Sequence, residues 1–175
     1  DEIKSRPMPN YFGLQRFGIN RNNHIIGKYI IARNFDKALK AISNNSRRKY
    51  DKIYAVPKTE LKFYIHSYQS WIFNEVLNET IKKKKTAGEI KIVGCNTRLG
   101  RSFADNIISA ILKKERITPE DFSLRDLGIS CIGSLRKSFI SVTDIEYRRS
   151  DDTLTMNFKL PKGSYATVLI NEISK

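Results

Sequence analysis

Two periodicities divide this sequence, and together they set its fold class. Over residues 61–85, LKFYIHSYQSWIFNEVLNETIKKKK, the side chains Leu61, Ile65, Tyr68, Ile72, Val76 and Ile81 recur close to the helical repeat. Four lysines close that run, where a helix dipole favours cations. From Cys131 onward the repeat shortens to two. In TLTMNFKL, Leu154, Met156, Phe158 and Leu160 fall on one face of a strand. Helices followed by an antiparallel meander make the chain α+β.

Local signals fill in the rest. HIIGKYIIA (24–32) reads as a short apolar strand rich in β-branched residues. Asn34 is placed to cap a helix through FDKALKAIS, with Phe35, Leu39 and Ile42 in phase. Residues 44–50 are polar and basic, a loop or a helix end. EIKIVG (89–94) reads as a strand, and Ser102 with Asp105 forms a capping pattern before a helix carrying Phe103, Ile107 and Ile111. Thr118-Pro119-Glu120-Asp121 is a second capped start, closed by Gly128. KSFISVTDIEYRR, TLTMNFKL and YATVLI are the expected strands, joined at Ser150-Asp151-Asp152 and Pro161-Lys162-Gly163-Ser164.

Charge points to a polyanion. The net charge is +14, and residues 1–60 alone hold 13 Lys/Arg against 5 Asp/Glu. Such a surplus suits nucleic acid, whose phosphates would dominate the affinity. No apolar run is long enough for a membrane span, and DEIKSRPMPN has no apolar core, so neither a membrane partner nor a signal peptide is expected and the protein is read as cytoplasmic. Cys95 and Cys131 lack a CxxC pairing and are read as free thiols, a disulfide being the alternative. With only His24 and His66 present, no metal site is expected.

Two stretches carry candidate chemistry. Gly94-Cys-Asn-Thr-Arg-Leu-Gly100-Arg101-Ser102 lies between a strand and a helix as a nucleotide phosphate loop does, but its glycine spacing is too long and Arg stands where Lys is required. It is read either as a structural turn or as a loop touching RNA phosphates through Arg98 and Arg101. The second stretch is NYFGLQRFG (10–18). Aromatics beside Arg and amide side chains suit an RNA base, a ring stacking on its face and an amide reading its edge. A buried strand-turn with Tyr11 and Phe12 in the core fits the same spacing.

NYFGLQRFG resembles in full the N-Y-F-G-x-Q-R-F-G signature of the TruD family of RNA pseudouridine synthases. Tyr68-Gln-Ser-Trp-Ile-Phe-Asn74 is similar to that family's Y-Q-S-x-L-F-N helix, and Leu160-Pro-Lys-Gly-Ser-Tyr-Ala-Thr-Val-Leu169 to its closing L-P-x-G-S-Y-A-T-x-L. The segment from Gly94 to Leu99 resembles archaeal-type members. The resemblance implies an isomerase without a cofactor, acting on uridine in RNA, chiefly tRNA. It breaks the N-glycosidic bond of a flipped-out base and rejoins the base through carbon. Carried over by position, Phe12 would stack on the uracil and Asn10 would help hold a catalytic Asp. Gly13, Gln15 and Arg16 would shape the pocket. Apart from the resemblance, Arg16, Arg21, Lys28, Arg98 and Arg101 are the basic residues expected to meet the RNA. The implied organisation is a pseudouridine-synthase sheet domain in residues 1–34 and 129–175, interrupted by a TruD-type inserted α/β domain in residues 35–128.

The resemblance also implies a catalytic Asp in a G-x-K-D-R-x-A-x-T-x-Q motif upstream of NYFG. None of the nine aspartates has that context; Asp51, Asp105 and Asp126 sit in KYDKIY, FADNII and LRDLGI. The chain is therefore expected to be inactive alone and to be completed by an N-terminal half or another protein subunit. The alternative is a catalytically dead paralogue that binds RNA within a ribonucleoprotein such as the ribosome, with rRNA in place of tRNA.

Overall fold

A computed structural model describes residues 7–45, 48–85 and 87–174. The leader expectation for the first residues and the middle of the 44–50 loop lie outside this range. Among the described residues the chain is α+β, with five helices and short antiparallel strand pairs.

The helices are α1 (Asn23–Ile31), α2 (Phe35–Asn45), α3 (Lys58–Lys82), α4 (Phe103–Glu115) and α5 (Ala166–Ile173). The organising element is α3. Leu61, Ile65, Tyr68, Ile72 and Val76 form its expected stripe, but Tyr64, Ser67, Gln69, Ser70, Phe73, Leu77 and Thr80 are buried too. A helix buried on most of its circumference must be ringed by other elements, and α1, α4 and the strand Glu89–Ile92 pack around it. Two of its buried hydroxyls are satisfied within the helix: Ser70 donates to the His66 carbonyl at 2.8 Å and Thr80 to the Val76 carbonyl at 2.7 Å.

Two expected strands are helices. HIIGKYIIA forms α1, and its isoleucines serve a helical face, with Ile26, Ile30 and Ile31 fully buried. Gly27 explains the misreading. A Cβ there would overlap the carbonyl of Tyr64, so glycine marks the place where α1 crosses α3 at close range and does not break the helix. YATVLI leads into α5, where Leu169 and Ile173, four residues apart, join a small second core with Met8, Ile140 and Val142. The meander therefore ends in a helix. The start at Thr118 has its full capping box but makes only a 3₁₀ turn, Pro119–Phe122, before the chain extends.

The strands are β1 (Met8–Pro9), β2 (Glu89–Ile92), β3 (Ser123–Leu124), β4 (Ile129–Ser130), β5 (Ser134–Lys137), β6 (Phe139–Ile140), β7 (Thr143–Ser150) and β8 (Thr153–Lys159). They pair antiparallel as β1–β6, β2–β5, β3–β4 and β7–β8. The single run expected over KSFISVTDIEYRR thus changes partner twice. Ser138 marks the first change: fully buried, it turns its N–H to the Gly88 carbonyl at 3.1 Å and its hydroxyl to the Ala87 carbonyl. Because β5 and β6 flank that residue, the β2 and β1 ends of the molecule are brought side by side.

Candidate functional site

Phe12 lies where the elements converge. Its backbone is bracketed by one side chain of α3: Asn74 Oδ1 accepts from the Phe12 N–H at 2.9 Å, and Asn74 Nδ2 donates to the Phe12 carbonyl at 3.0 Å. Its ring meets Phe73 edge-on at 5.4 Å and Tyr165 at 6.0 Å. The following 3₁₀ turn, Leu14–Phe17, is tied to the same helix, since Ser67 donates to the Arg16 carbonyl at 2.7 Å and Arg16 Nε donates to Ser70 Oγ at 3.2 Å.

The Arg136 guanidinium lies 4.1 Å from the centre of the Phe12 ring. Three acceptors fix it there: the Asn10 carbonyl at 3.2 Å, Asn10 Oδ1 at 2.6 Å and the Gly163 carbonyl at 3.0 Å. Asn10 is itself held across the β1–β6 junction, with Nδ2 donating to the Lys137 carbonyl at 2.9 Å and its N–H to that of Ser138 at 2.8 Å. Burial lowers the pKa of Arg136, Tyr165 opposes that and nearby Arg16 adds to it, yet a guanidinium remains charged at neutral pH. Among the described residues no carboxylate pairs with Arg136.

Around this pair opens a cleft of about 1060 Å³, walled by Asn10, Phe12, Arg136, Ser138, Gly163 and Tyr165. Arg16, Lys137 and Lys162 add positive charge, with Glu89 as the acidic lining residue. A cleft so lined concentrates anions; the Phe12 ring behind it is only 8% exposed, with the Arg136 guanidinium over it.

The expected site residues separate into groups. Asn10, Phe12 and Arg16 line the cleft. Gly13 sits behind it: a Cβ there would lie 2.8 Å from Tyr165 Cδ1 and 3.0 Å from Thr167 Oγ1, so glycine is what lets the closing segment pack against the NYFG turn. Gln15 points to solvent outside the lining. Arg21 is exposed, and Lys28 pairs with Glu115 at a different cavity. Arg98 and Arg101 are exposed on the 94–101 loop. That loop directs its own amides inward: Gly94 N–H to Thr97 Oγ1 at 2.8 Å and Gly100 N–H to Asp105 Oδ2 at 2.9 Å.

Four contributors escaped the sequence reading. Phe73, Asn74 and Tyr165 belong to segments already singled out, so a signal existed. Arg136, an unremarkable Arg-Lys pair in a strand, gave none. Cys95 and Cys131 are free thiols; burial comes first in pushing Cys131 up to about 11, which leaves it protonated. Among the described residues no group of three or more His, Cys, Asp or Glu side chains is placed to hold a metal, and no helix is long and apolar enough to cross a membrane.

Fold and cleft define an α+β chain with a cationic, ring-backed pocket where three separated segments meet. The family model described as tRNA pseudouridine synthase D (TruD) matches residues 1–53 and 79–173, most of the chain, and the chain belongs to that family. The match passes over residues 54–78, which contain Asn74. The chain is 26% identical to the probable tRNA pseudouridine synthase D of Methanococcus vannielii, over 99% of this chain and 58% of that protein. It is 29% identical to the one of Nanoarchaeum equitans, over 94% of this chain and 60% of that protein. The crystal structure of a TruD homologue from Methanosarcina mazei superimposes with a TM-score of 0.74 at 19% identity, covering 95% of this chain and 60% of that one. The chain thus spans about three fifths of the length of the relatives it matches.

Proposed function

We propose that the cleft is one wall of the uridine pocket of an RNA pseudouridine synthase, and that its RNA is tRNA. The observation that carries this reading is the convergence of three family-resembling segments on Phe12 and Arg136 in a cationic cleft. Isomerisation breaks the bond between uracil N1 and the ribose C1′, joins C1′ to C5, and moves the C5 proton away while N1 regains one, so nothing is consumed and no cofactor is required. A carboxylate must assist, and Arg136 is the group that would seat it. Its guanidinium is a planar fork of the kind carboxylates match, and it lies against the ring proposed to face the base. In that arrangement Asn10 holds the carboxylate indirectly, by fixing Arg136. The carboxylate would come from a G-x-K-D-R segment outside residues 1–175.

We further propose that residues 1–34 and 129–175 form the catalytic sheet domain and residues 35–128 the inserted one. The β1–β6 pairing supports this, while α1, packed on α3, joins the two parts. A second polypeptide segment would complete the sheet beside the short strand pairs, where Leu135, Tyr147 and Leu154 are exposed.

The test is tritium release from tRNA transcripts labelled at uracil C5. The chain alone should give none. Adding a polypeptide that bears the G-x-K-D-R segment should restore release, and Phe12→Ala or Arg136→Ala in this chain should reduce it at least a hundredfold. Release by the chain alone, or release indifferent to both substitutions, contradicts the reading.

A further inference from the structure

A second cavity, of about 250 Å³, opens between α1, α3 and α4 and shares no lining residue with the cleft. His24, Lys28, Tyr29, Tyr68, Trp71 and Glu115 line it. Its rings are ordered. Trp71 lies nearly parallel to His24, at 15° and 5.8 Å, and to Tyr68, at 12° and 5.6 Å.

Its polar groups are unusual. Tyr68 is 1% exposed, yet its hydroxyl has no hydrogen-bond partner among the described residues, and the same holds for His24 Nδ1. Buried polar atoms of this kind are uncommon, and each calls for a partner. Here both belong to residues that face one cavity. At its rim the Glu115 carboxylate and the Lys28 ammonium form an ion pair. Lys28 was expected at the RNA interface from sequence, and the catalytic cleft does not account for it.

We propose that this cavity binds a guanine base. Its volume is below the roughly 300–1,000 Å³ of drug-sized ligand sites, which suits a single ring system. The flat apolar surfaces of the ring array suit an aromatic ligand. Guanine's edge presents two donors, N1–H and the 2-amino group, beside one acceptor, O6. Glu115 accepts the pair of donors, and Lys28 or the Tyr68 hydroxyl donates to O6. Adenine and cytosine each present a single exocyclic amino group beside ring-nitrogen acceptors, and the carboxylate would repel the latter. Uracil offers one N–H between two carbonyls. The guanine belongs either to an unpaired nucleotide of RNA or to a free guanine nucleotide, and the chemistry of recognition is the same for both.

Trp71 is the only tryptophan in the chain, so its fluorescence reports on this cavity directly. The whole chain is titrated with GMP, AMP, CMP and UMP, and with two short RNAs that differ in whether their one unpaired base is guanine. GMP or the guanine RNA should quench Trp71 saturably, with the other mononucleotides at least tenfold weaker. Tyr68→Phe, which keeps the ring, and Glu115→Gln should each weaken that binding at least fivefold, while Glu120→Gln, exposed and outside the cavity, should not. Quenching by the RNA alone assigns the site to RNA, and quenching by GMP alone to the free nucleotide. Equal quenching by all four mononucleotides, none by any ligand, or unchanged affinity in both Tyr68→Phe and Glu115→Gln overturns the proposal. These readouts need no isomerase activity, so they stand apart from the fate of the catalytic reading.

Discussion

Asn74 holds Phe12 as a neighbouring strand would, taking its N–H and supplying its carbonyl with one side-chain amide. Replacing Asn74 with Ala strands both backbone groups in a largely buried place. Each unsatisfied group costs about 1–3 kcal/mol, so a loss of at least about 2 kcal/mol is expected. For a domain of this size that lowers Tm by roughly 4–8 °C. Asn74→Asp keeps the acceptor, loses the donor and should also destabilise. Thermal unfolding followed by circular dichroism is the check, and a Tm within 1 °C of wild type for Asn74→Ala would show that the bracket does not matter.

Gly13 owes its identity to a neighbour, because its φ of −73° is open to any residue. Gly13→Ala drives a methyl into the Tyr165 ring and should cost about 1–3 kcal/mol, the usual range for overpacking. In the double variant with Tyr165→Ala the overlap with the ring is gone and only the Thr167 Oγ1 contact remains, so the two costs should fall short of additive by about 1 kcal/mol. Strict additivity in urea titrations would place the strain elsewhere.

At Asp105, burial pushes the carboxyl upward. Hydrogen bonds from Lys91, the Gly100 N–H and Ser102, with the charge of Lys91, outweigh it and hold the pKa below the ordinary 3.8. A depressed carboxylate pKa stabilises the fold fully above the ordinary value, and that contribution is lost as pH falls through the folded value. Wild type should therefore weaken steeply below pH 4. Asp105→Asn should be less stable at pH 7 and show a flatter decline. Urea midpoints between pH 2.5 and 7 decide; parallel curves for the two proteins would remove Asp105 as a source of the acid sensitivity.

Lys137 and Lys162 flank the cleft and have no carboxylate within ion-pair distance among the described residues. If tRNA phosphates cross this rim, Lys137→Gln and Lys162→Gln should each flatten the slope of log K against log salt by about one, with sequence preference unchanged. Filter binding at several salt concentrations measures it. An unaltered slope would move the phosphate path off this side of the cleft.

Much of this was legible in the chain and some was not, for definable reasons. The helices α2, α3 and α4 announced themselves because caps at Asn34 and Ser102 agree with apolar spacing, and both caps form, Ser102 Oγ accepting from the Asp105 N–H at 3.0 Å. Local signals failed where tertiary contact reassigns a residue. Gly27 looks like a strand or turn glycine until α3 is seen lying on it, and YATVLI is too short a window to display a helical repeat completed only at Ile173. At the site, the grouping of Asn10, Phe12 and Arg16 was readable from the motif, and the three do share the cleft. The placement of Arg136 was not readable, because only the change of strand partner at Ser138 brings that side chain onto Phe12.

The three anchors of Phe12 lie 62, 124 and 153 positions further along the chain, at Asn74, Arg136 and Tyr165. A chain leaving the ribosome exposes Phe12 first, and the last of these anchors only 153 residues later. Contacts of such long separation require large loops to close first, which slows their formation. Residues near Phe12 must therefore wait as unpaired, partly apolar surface, at risk of premature association, while the helical part around α3 can already condense. The pocket wall cannot close until residue 165 has been made, and any release of the polypeptide before that point leaves a helical body whose cleft is never closed.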